Sequence, residues 1–135
     1  MLTALRLLFG FILVAMLSVT TWASLCCPLF GVPPDVFRHP WFIATMFDAY
    51  AGFLTFYVWV AWQQQAWSAR AAWLVAILLL GNVAMAAYCL RQLCRAPAPP
   101  ALAGVLTRRE TGAGLLGPVL AGLGIAVVGL AWLSR

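Results

Sequence analysis

The chain has 135 residues, of which 65% are hydrophobic and 8% are charged, and its formal net charge is +5. A soluble domain carries about 25% charged residues, so this composition excludes an ordinary soluble enzyme or binding domain. The basic residues are all arginines, and they lie near the ends of apolar segments. That placement is typical of contacts with lipid headgroups, and it argues against a nucleic-acid-binding surface.

Four apolar segments follow one another along the chain, at residues 7–25, 41–62, 71–90 and 113–133. Each is about 20 residues long, which as a helix spans the roughly 30 Å hydrocarbon core of a bilayer. Backbone groups in lipid must be hydrogen-bonded within the segment, which favours helices over strands. All seven tryptophans lie toward the segment ends, as in interfacial belts. The sequence therefore predicts an all-α integral membrane protein, a four-transmembrane-helix bundle with short loops and a single membrane domain over residues 1–135.

The first segment has an alternative interpretation as a cleaved signal peptide. One arginine precedes it, and it ends in the small-residue stretch WASL. The apolar segment is longer than the usual signal core of about 7–15 residues. We therefore favour a retained transmembrane helix.

The arginines leave the orientation of a four-span protein open. Four crossings would put three arginines on the side of the N-terminus and five on the other, namely Arg6, Arg70 and Arg135 against Arg38, Arg91, Arg95, Arg108 and Arg109. The larger count favours a cytoplasmic location for the second side. The first helix favours the opposite orientation, because a positive charge precedes it.

One carboxylate lies within a predicted span. Asp48 shares a helical stripe with Thr45, and this spacing predicts that both face the bundle interior. At 1.5 Å per residue, Asn82, Ser18 and Thr21 fall at a similar depth, so these side chains would form one polar layer. Two interpretations stay open. The layer is either an interhelical hydrogen-bonded contact or a proton-accepting or ligand-binding site.

A second group of candidates lies at the predicted membrane surface, above the polar layer. Arg38, His39, Trp41 and Arg91 could together contact an anionic headgroup. The single histidine could alternatively bind a pigment, although its position at the interface favours an ordering role in the turn. The sequence contains no motif with metal-ligand spacing and no catalytic constellation, so we expect neither a metal nor a cofactor.

The four cysteines and the fourth span carry further expectations. If the side that holds Cys26, Cys27 and Cys94 is periplasmic, a disulfide to Cys94 is possible, whereas a cytoplasmic location predicts free thiols. Small residues at helical spacing in the fourth span predict a close contact, either inside the bundle or with a partner. The prolines of residues 96–101 predict an extended, polyproline-like loop.

The stretch HPWFIATMFDAY, with the surrounding residues 22–62 and the sequence LLLGNVAMAAY, carries a family resemblance. It resembles the small bacterial membrane proteins grouped as domain of unknown function 1475. The resemblance implies residence in a membrane, in bacteria the cytoplasmic one, and it implies no activity. It marks six motif positions, namely His39, Pro40, Trp41, Asp48, Tyr50 and Tyr57.

Two functional hypotheses follow from these observations. The first is an accessory or scaffold subunit that packs against another integral membrane protein or forms a homo-oligomer, since no catalytic constellation is present. The second is a membrane-embedded enzyme component or carrier that binds a lipid or a quinone through the Asp48 layer. Membrane lipids are expected partners in both, nucleic acid in neither, and whether the protein is an enzyme stays open.

Overall fold

The computed structural model describes residues 1–95, 102–112 and 114–133, and in these ranges the regular elements are helices. They are α1 (Leu2–Cys26), α2 (Pro34–Arg38), α3 (Pro40–Gln63), α4 (Trp67–Leu80), α5 (Asn82–Cys94), α6 (Leu102–Thr107) and α7 (Leu116–Leu133). Three of them, α1, α3 and α7, are long and apolar enough to cross a membrane. They correspond to the first, second and fourth predicted segments. The predicted polyproline loop at residues 96–101 lies outside the described residues.

The third predicted segment is not a single helix. It is divided at Gly81, whose φ of 52° and ψ of −124° end α4 and begin α5. The rings of Trp73 and Tyr88 are 4.7 Å apart, although 15 residues of straight helix would separate them by about 22 Å. The chain therefore reverses at Gly81, and α4 and α5 form a helical hairpin. The prediction of one continuous span over residues 71–90 was wrong, and the four-span bundle is not confirmed.

The hairpin is shorter than the helices around it. Its arms contain 14 and 13 residues, which correspond to about 21 and 20 Å of helix. A bilayer core is about 30 Å thick. The hairpin therefore reaches about two thirds of that distance and returns to the end from which it started.

Helices α3 and α7 pack along the first arm of the hairpin in opposite directions. Phe53 of α3 contacts Gly81 at the hairpin tip, and the Tyr57 hydroxyl donates a hydrogen bond to the carbonyl of Arg70 at 3.2 Å. In α7, Gly117 lies against Trp73 and Gly124 against Leu79. A Cβ atom at either glycine would come within 3 Å of its neighbour. The small residues of the fourth predicted segment thus form a contact inside the fold.

Helix α1 lies along α5, and its first residues, Leu2 and Leu5, pack with the buried Leu93. The Arg6 guanidinium donates a hydrogen bond to the Leu93 carbonyl at 2.8 Å. From Leu17 to Leu25, α1 is exposed throughout. The first half of α3 is also largely exposed. Buried side chains are thus concentrated where the hairpin runs.

The reversal at Gly81 gathers the basic residues. We call the end where α1, α4 and α7 begin the arginine end, and the opposite end, with residues 27–39, the far end. The arginine end holds six of the seven arginines that the structure describes, namely Arg6, Arg70, Arg91, Arg95, Arg108 and Arg109. The predicted three-to-five division was therefore wrong, because it assumed that the third segment crosses to the far end.

Candidate functional site

A buried polar cluster lies at the arginine end, where α3 ends and the loop after α6 returns. The Glu110 amide donates to the Gln63 carbonyl at 2.8 Å, and the Gln65 amide donates to the Glu110 carbonyl at 3.0 Å. These two bonds form an isolated parallel bridge between Gln64 and Glu110. The bridge fixes Glu110 beside the start of the hairpin.

The Glu110 carboxylate accepts hydrogen bonds from four side chains. Oε2 accepts from Arg91 at 2.9 Å and from Gln64 at 3.1 Å. Oε1 accepts from Arg95 at 3.1 Å and from Gln92 at 3.2 Å. A carboxylate has about four lone-pair positions, so all of them are used. The site joins the end of α3, the end of α5 and the loop before α7.

The ionisation of Glu110 follows from these contacts. Burial by itself raises the pKa of Glu110, but the hydrogen bond from Gln64 and the positive charge of Arg91 outweigh burial and lower the pKa below its ordinary value. A carboxylate that is ionised and fully hydrogen-bonded has no free position to accept a proton from a substrate. The cluster therefore fixes the loop before α7 and does not act as a general base. We call Glu110 and its four side-chain donors the clamp.

A layer of aromatic and amide groups continues the cluster into the fold. The Tyr88 hydroxyl donates to Oε1 of Gln63 at 2.6 Å, and Nε2 of Gln63 donates to the Val105 carbonyl at 2.6 Å. Trp59 donates to the Leu106 carbonyl at 3.1 Å. These bonds attach α6 to the body of the protein through side chains of α3 and α5.

The arginine end also contains buried polar atoms without hydrogen-bond partners among the described residues, both in the cluster and on Arg6 beside it. They are Nε of Arg6, Oε1 of Gln64, NH1 of Arg91 and Oε1 of Gln92. Gln64 and Gln92 are 1% and 2% exposed. Each unpaired buried atom costs stability, so the Glu110 contacts must offset that cost.

Glu110 and the cluster glutamines Gln63, Gln64 and Gln92 were not predicted from the sequence. Glu110 lies outside the apolar segments, where an acidic residue is normally a solvated loop residue. Two features of the sequence point toward the cluster in retrospect. They are the run Gln63–Gln64–Gln65 at the end of a span and the neighbouring pair Arg109–Glu110.

The predicted polar layer is not assembled inside the fold. Its five candidates are all exposed on the isolated chain, namely Ser18, Thr21, Thr45, Asp48 and Asn82. The Thr45 hydroxyl donates to the Trp41 carbonyl of its own helix at 2.8 Å. Phe53 and Phe56, which lie on the other side of α3, pack against the core instead. The predicted inward placement of Asp48 was therefore wrong, whereas a role in binding a ligand or a partner stays a prediction.

The predicted surface group is divided between the two ends of the molecule. Arg38, His39 and Trp41 are exposed at the far end, whereas Arg91 contacts Glu110 at the arginine end. A headgroup site that combines all four is excluded, because α5 returns to the arginine end. The same reversal separates Cys94 from Cys26, and all four cysteines are free, so the disulfide considered above is not formed.

A shallow groove lies at the far end, beside Arg38 and His39. Its volume is about 390 Å³, and six residues of α2 and α3 line it, namely Phe37, Phe42, Ile43, Met46, Phe47 and Tyr50. The lining is apolar except for the tyrosine hydroxyl. Asp48 does not line the groove, so the carboxylate and the groove are separate features of α3.

The sequence model of one protein family, described as Protein of unknown function (DUF1475), matches residues 2–108. The match covers well over half of the chain, so the protein belongs to this family. The matched range contains α1 to α6, with the hairpin, and it ends two residues before Glu110. No curated protein and no solved structure matches the chain.

Proposed function

We propose that this member of the DUF1475 family is an accessory subunit of the bacterial cytoplasmic membrane, where it packs against another integral membrane protein. The contact surface in this proposal is the Asp48 face of α3, defined by Thr45, Asp48, Gly52 and Thr55. All four residues are exposed. The observation that carries the proposal is the exposed carboxylate of Asp48 within a helix of membrane-spanning length.

Asp48 lies eight residues after Pro40, the first residue of α3, which places it about 12 Å along the helix. A charged aspartate in the centre of a membrane helix costs about 3 kcal/mol or more. No described residue donates a hydrogen bond to this carboxylate. A donor from a second membrane protein would remove most of that cost, which favours association over exposure to lipid.

The neighbours of Asp48 suit a close helix contact. The hydroxyls of Thr45 and Thr55 donate to carbonyls of their own helix, at 2.8 and 2.9 Å. They therefore require no partner. At Gly52 a Cβ atom would meet nothing within 4 Å, and such small residues let two membrane helices approach closely. Asp48 is the group on this face that needs a donor, and its surroundings leave room for one.

Photo-crosslinking in the native membrane tests this proposal. A photoreactive residue at Gly52 should give one discrete adduct with another membrane protein, and Asp48→Ala in the same chain should abolish it. A photoreactive residue at Val58 is the matched control, because Val58 is exposed and lies about 120° around the helix. Asp35→Asn, which changes an exposed carboxylate outside the spanning helices, should leave the adduct intact.

Three results would contradict the accessory role. The first is an adduct that survives Asp48→Ala, and the second is equal crosslinking from both positions. The third is an adduct that contains only a second copy of this chain, which would replace the accessory role by self-association.

The far-end groove favours a second candidate function, the binding of a lipid or a quinone. Its aromatic lining suits an isoprenoid or acyl chain, and Arg38 and His39 are close enough in sequence to contact a polar head. Native mass spectrometry of the purified protein should then show one retained lipid or quinone that Phe42→Ala releases. Asp48→Ala should not release it, since Asp48 does not line the groove. A protein without any retained molecule would argue against this function.

A further inference from the structure

Several arginines at the arginine end do not contact Glu110. Among the described residues, Glu110 is the only carboxylate at this end, and its ion-pair partners are Arg91 and Arg95. Of the other four arginines at this end, none has a carboxylate partner in the described part of the chain. Arg6 donates to the Leu93 carbonyl inside the fold, and the remaining three are Arg70, Arg108 and Arg109. We call these three the outer arginines.

Two of the outer arginines stack on tryptophan rings. The guanidinium carbon of Arg109 lies 4.9 Å from the ring centroid of Trp62, and that of Arg70 lies 5.3 Å from the ring of Trp67. Both rings are exposed, at 45% and 79%. Tryptophans at the ends of membrane helices lie at headgroup level. The stacked guanidinium groups are therefore at the height of lipid phosphates.

The far end offers no comparable charge. Its described charged residues outside the spans are Asp35 and Arg38, both in α2, which together have no net charge. An anionic headgroup is therefore attracted to one end of the protein much more strongly than to the other. In bacteria and other cells the cytoplasmic side of a membrane protein carries the excess of arginine.

We propose that the outer arginines form a docking surface for anionic phospholipid headgroups, and that this surface lies in the cytoplasmic leaflet. The surface is separate from the Asp48 face, which lies toward the far end, so this proposal does not depend on the proposed function. Its ligand is a lipid phosphodiester such as that of phosphatidylglycerol. The stacked guanidinium groups supply charge and planar hydrogen-bond donors for that group.

The test is a lipid titration of the full chain, delipidated in an uncharged detergent and followed by native mass spectrometry. Phosphatidylglycerol should bind more tightly than phosphatidylcholine. One arginine near a charged surface contributes about 1 kcal/mol, which corresponds to about a fivefold change in Kd. The double variant R108Q/R109Q should therefore weaken phosphatidylglycerol binding about 25-fold.

Asp35→Asn is the control, because it changes an exposed charged side chain at the far end that does not line the groove. It should leave phosphatidylglycerol binding unchanged. Equal weakening by the control, or equal binding of the two lipids by the wild-type chain, would overturn the proposal. Displacement of the lipid by millimolar inorganic phosphate would assign the surface to a soluble anion and would also overturn it.

A second measurement keeps the proposal testable if R108Q/R109Q does not fold. Phosphatidylglycerol binding to the wild-type chain should weaken several-fold between low and high ionic strength, because exposed charges are screened by salt. Binding that is insensitive to salt would show that the outer arginines do not hold the headgroup, and the proposal would fail.

Discussion

Replacing Glu110 by glutamine removes the negative charge from the clamp with little change in side-chain volume. The variant keeps one carbonyl oxygen and the backbone bridge to Gln64, but it removes the negative charge that faces Arg91. Both side chains of this pair are nearly buried, at 8% and 10% exposure. The substitution therefore leaves a buried guanidinium without its counter-charge.

The size of the effect follows from the two ion pairs of Glu110. Breaking a buried pair by removing one partner costs about 3–5 kcal/mol, because the remaining charge stays buried. The second partner, Arg95, has a side chain that is 49% exposed, so its pair contributes less than about 1 kcal/mol. We expect Glu110→Gln to lower the stability of the fold by about 3 kcal/mol. For a chain of this size that is a decrease in Tm of about 10 °C.

Thermal unfolding in detergent, followed by tryptophan fluorescence, measures this decrease. Asp35→Asn is the control, because it neutralises a carboxylate that is exposed and outside the clamp. The double variant Glu110→Gln/Arg91→Gln should recover part of the loss, since no unpaired charge then remains. A Tm for Glu110→Gln that equals that of the control would refute the argument that this ion pair holds the loop.

The same group gives the clamp a dependence on pH. The pKa of Glu110 is lower in the folded protein than its ordinary value, so the unfolded chain binds the proton more readily. The stability that Glu110 contributes is therefore present above about pH 4.3, where an unfolded glutamate titrates. It is lost as the pH falls from there through the folded pKa. The Tm of the wild-type chain should fall more steeply in this window than that of Glu110→Gln.

Two further predictions concern the hairpin. Gly81→Ala should destabilise the fold by about 1–3 kcal/mol, because φ is +52° and the new Cβ would lie 2.6 Å from the Phe53 ring. Gly10→Ala is the control, since its Cβ would meet nothing within 4 Å. Equal Tm values for the two variants would contradict the chain reversal at Gly81. Chains that retain a single exposed cysteine should react differently with an impermeant maleimide on intact cells. Cys26 should be labelled and Cys94 protected, and the opposite pattern would place the arginine end outside.

The long helices could be predicted from the sequence because lipid imposes a simple requirement. A helix that crosses a bilayer needs about 20 apolar residues, and residues 7–25, 41–62 and 113–133 meet that condition. The corresponding helices α1, α3 and α7 begin and end within five residues of the predicted limits. Apolar length was therefore sufficient to predict these three helices.

The hairpin could not be predicted from apolar length, because a reversal changes hydropathy very little. Residues 71–90 are apolar on both sides of Gly81, and their total length equals that of a crossing helix. The local signal was the dipeptide Gly81–Asn82, in which the glycine alone tolerates the observed backbone angles. One positive φ decides the topology, and it moves four arginines from one end of the protein to the other.

The face of α3 that enters the core was predicted incorrectly for a related reason. In water, aromatic and aliphatic side chains identify the buried face, but in lipid both faces of a helix can be apolar. The sequence predicted that Asp48 faces the interior, whereas Phe53 and Phe56 pack against the core formed with α4 and α5. Asp48 instead lies on the face of α3 that the other described helices leave exposed.

The short hairpin also makes the protein tapered. In a bilayer, α1, α3, α7 and the two hairpin arms would share the leaflet at the arginine end, whereas beyond the hairpin tip the long helices of the described residues are α1, α3 and α7. The difference amounts to two helix cross-sections, each about 10 Å in diameter. In the leaflet at the far end, that volume must be filled either by lipid or by a partner protein that is wider there. A protein of this shape therefore prefers neighbours with the inverse taper, and in a symmetric bilayer it would expand one leaflet relative to the other.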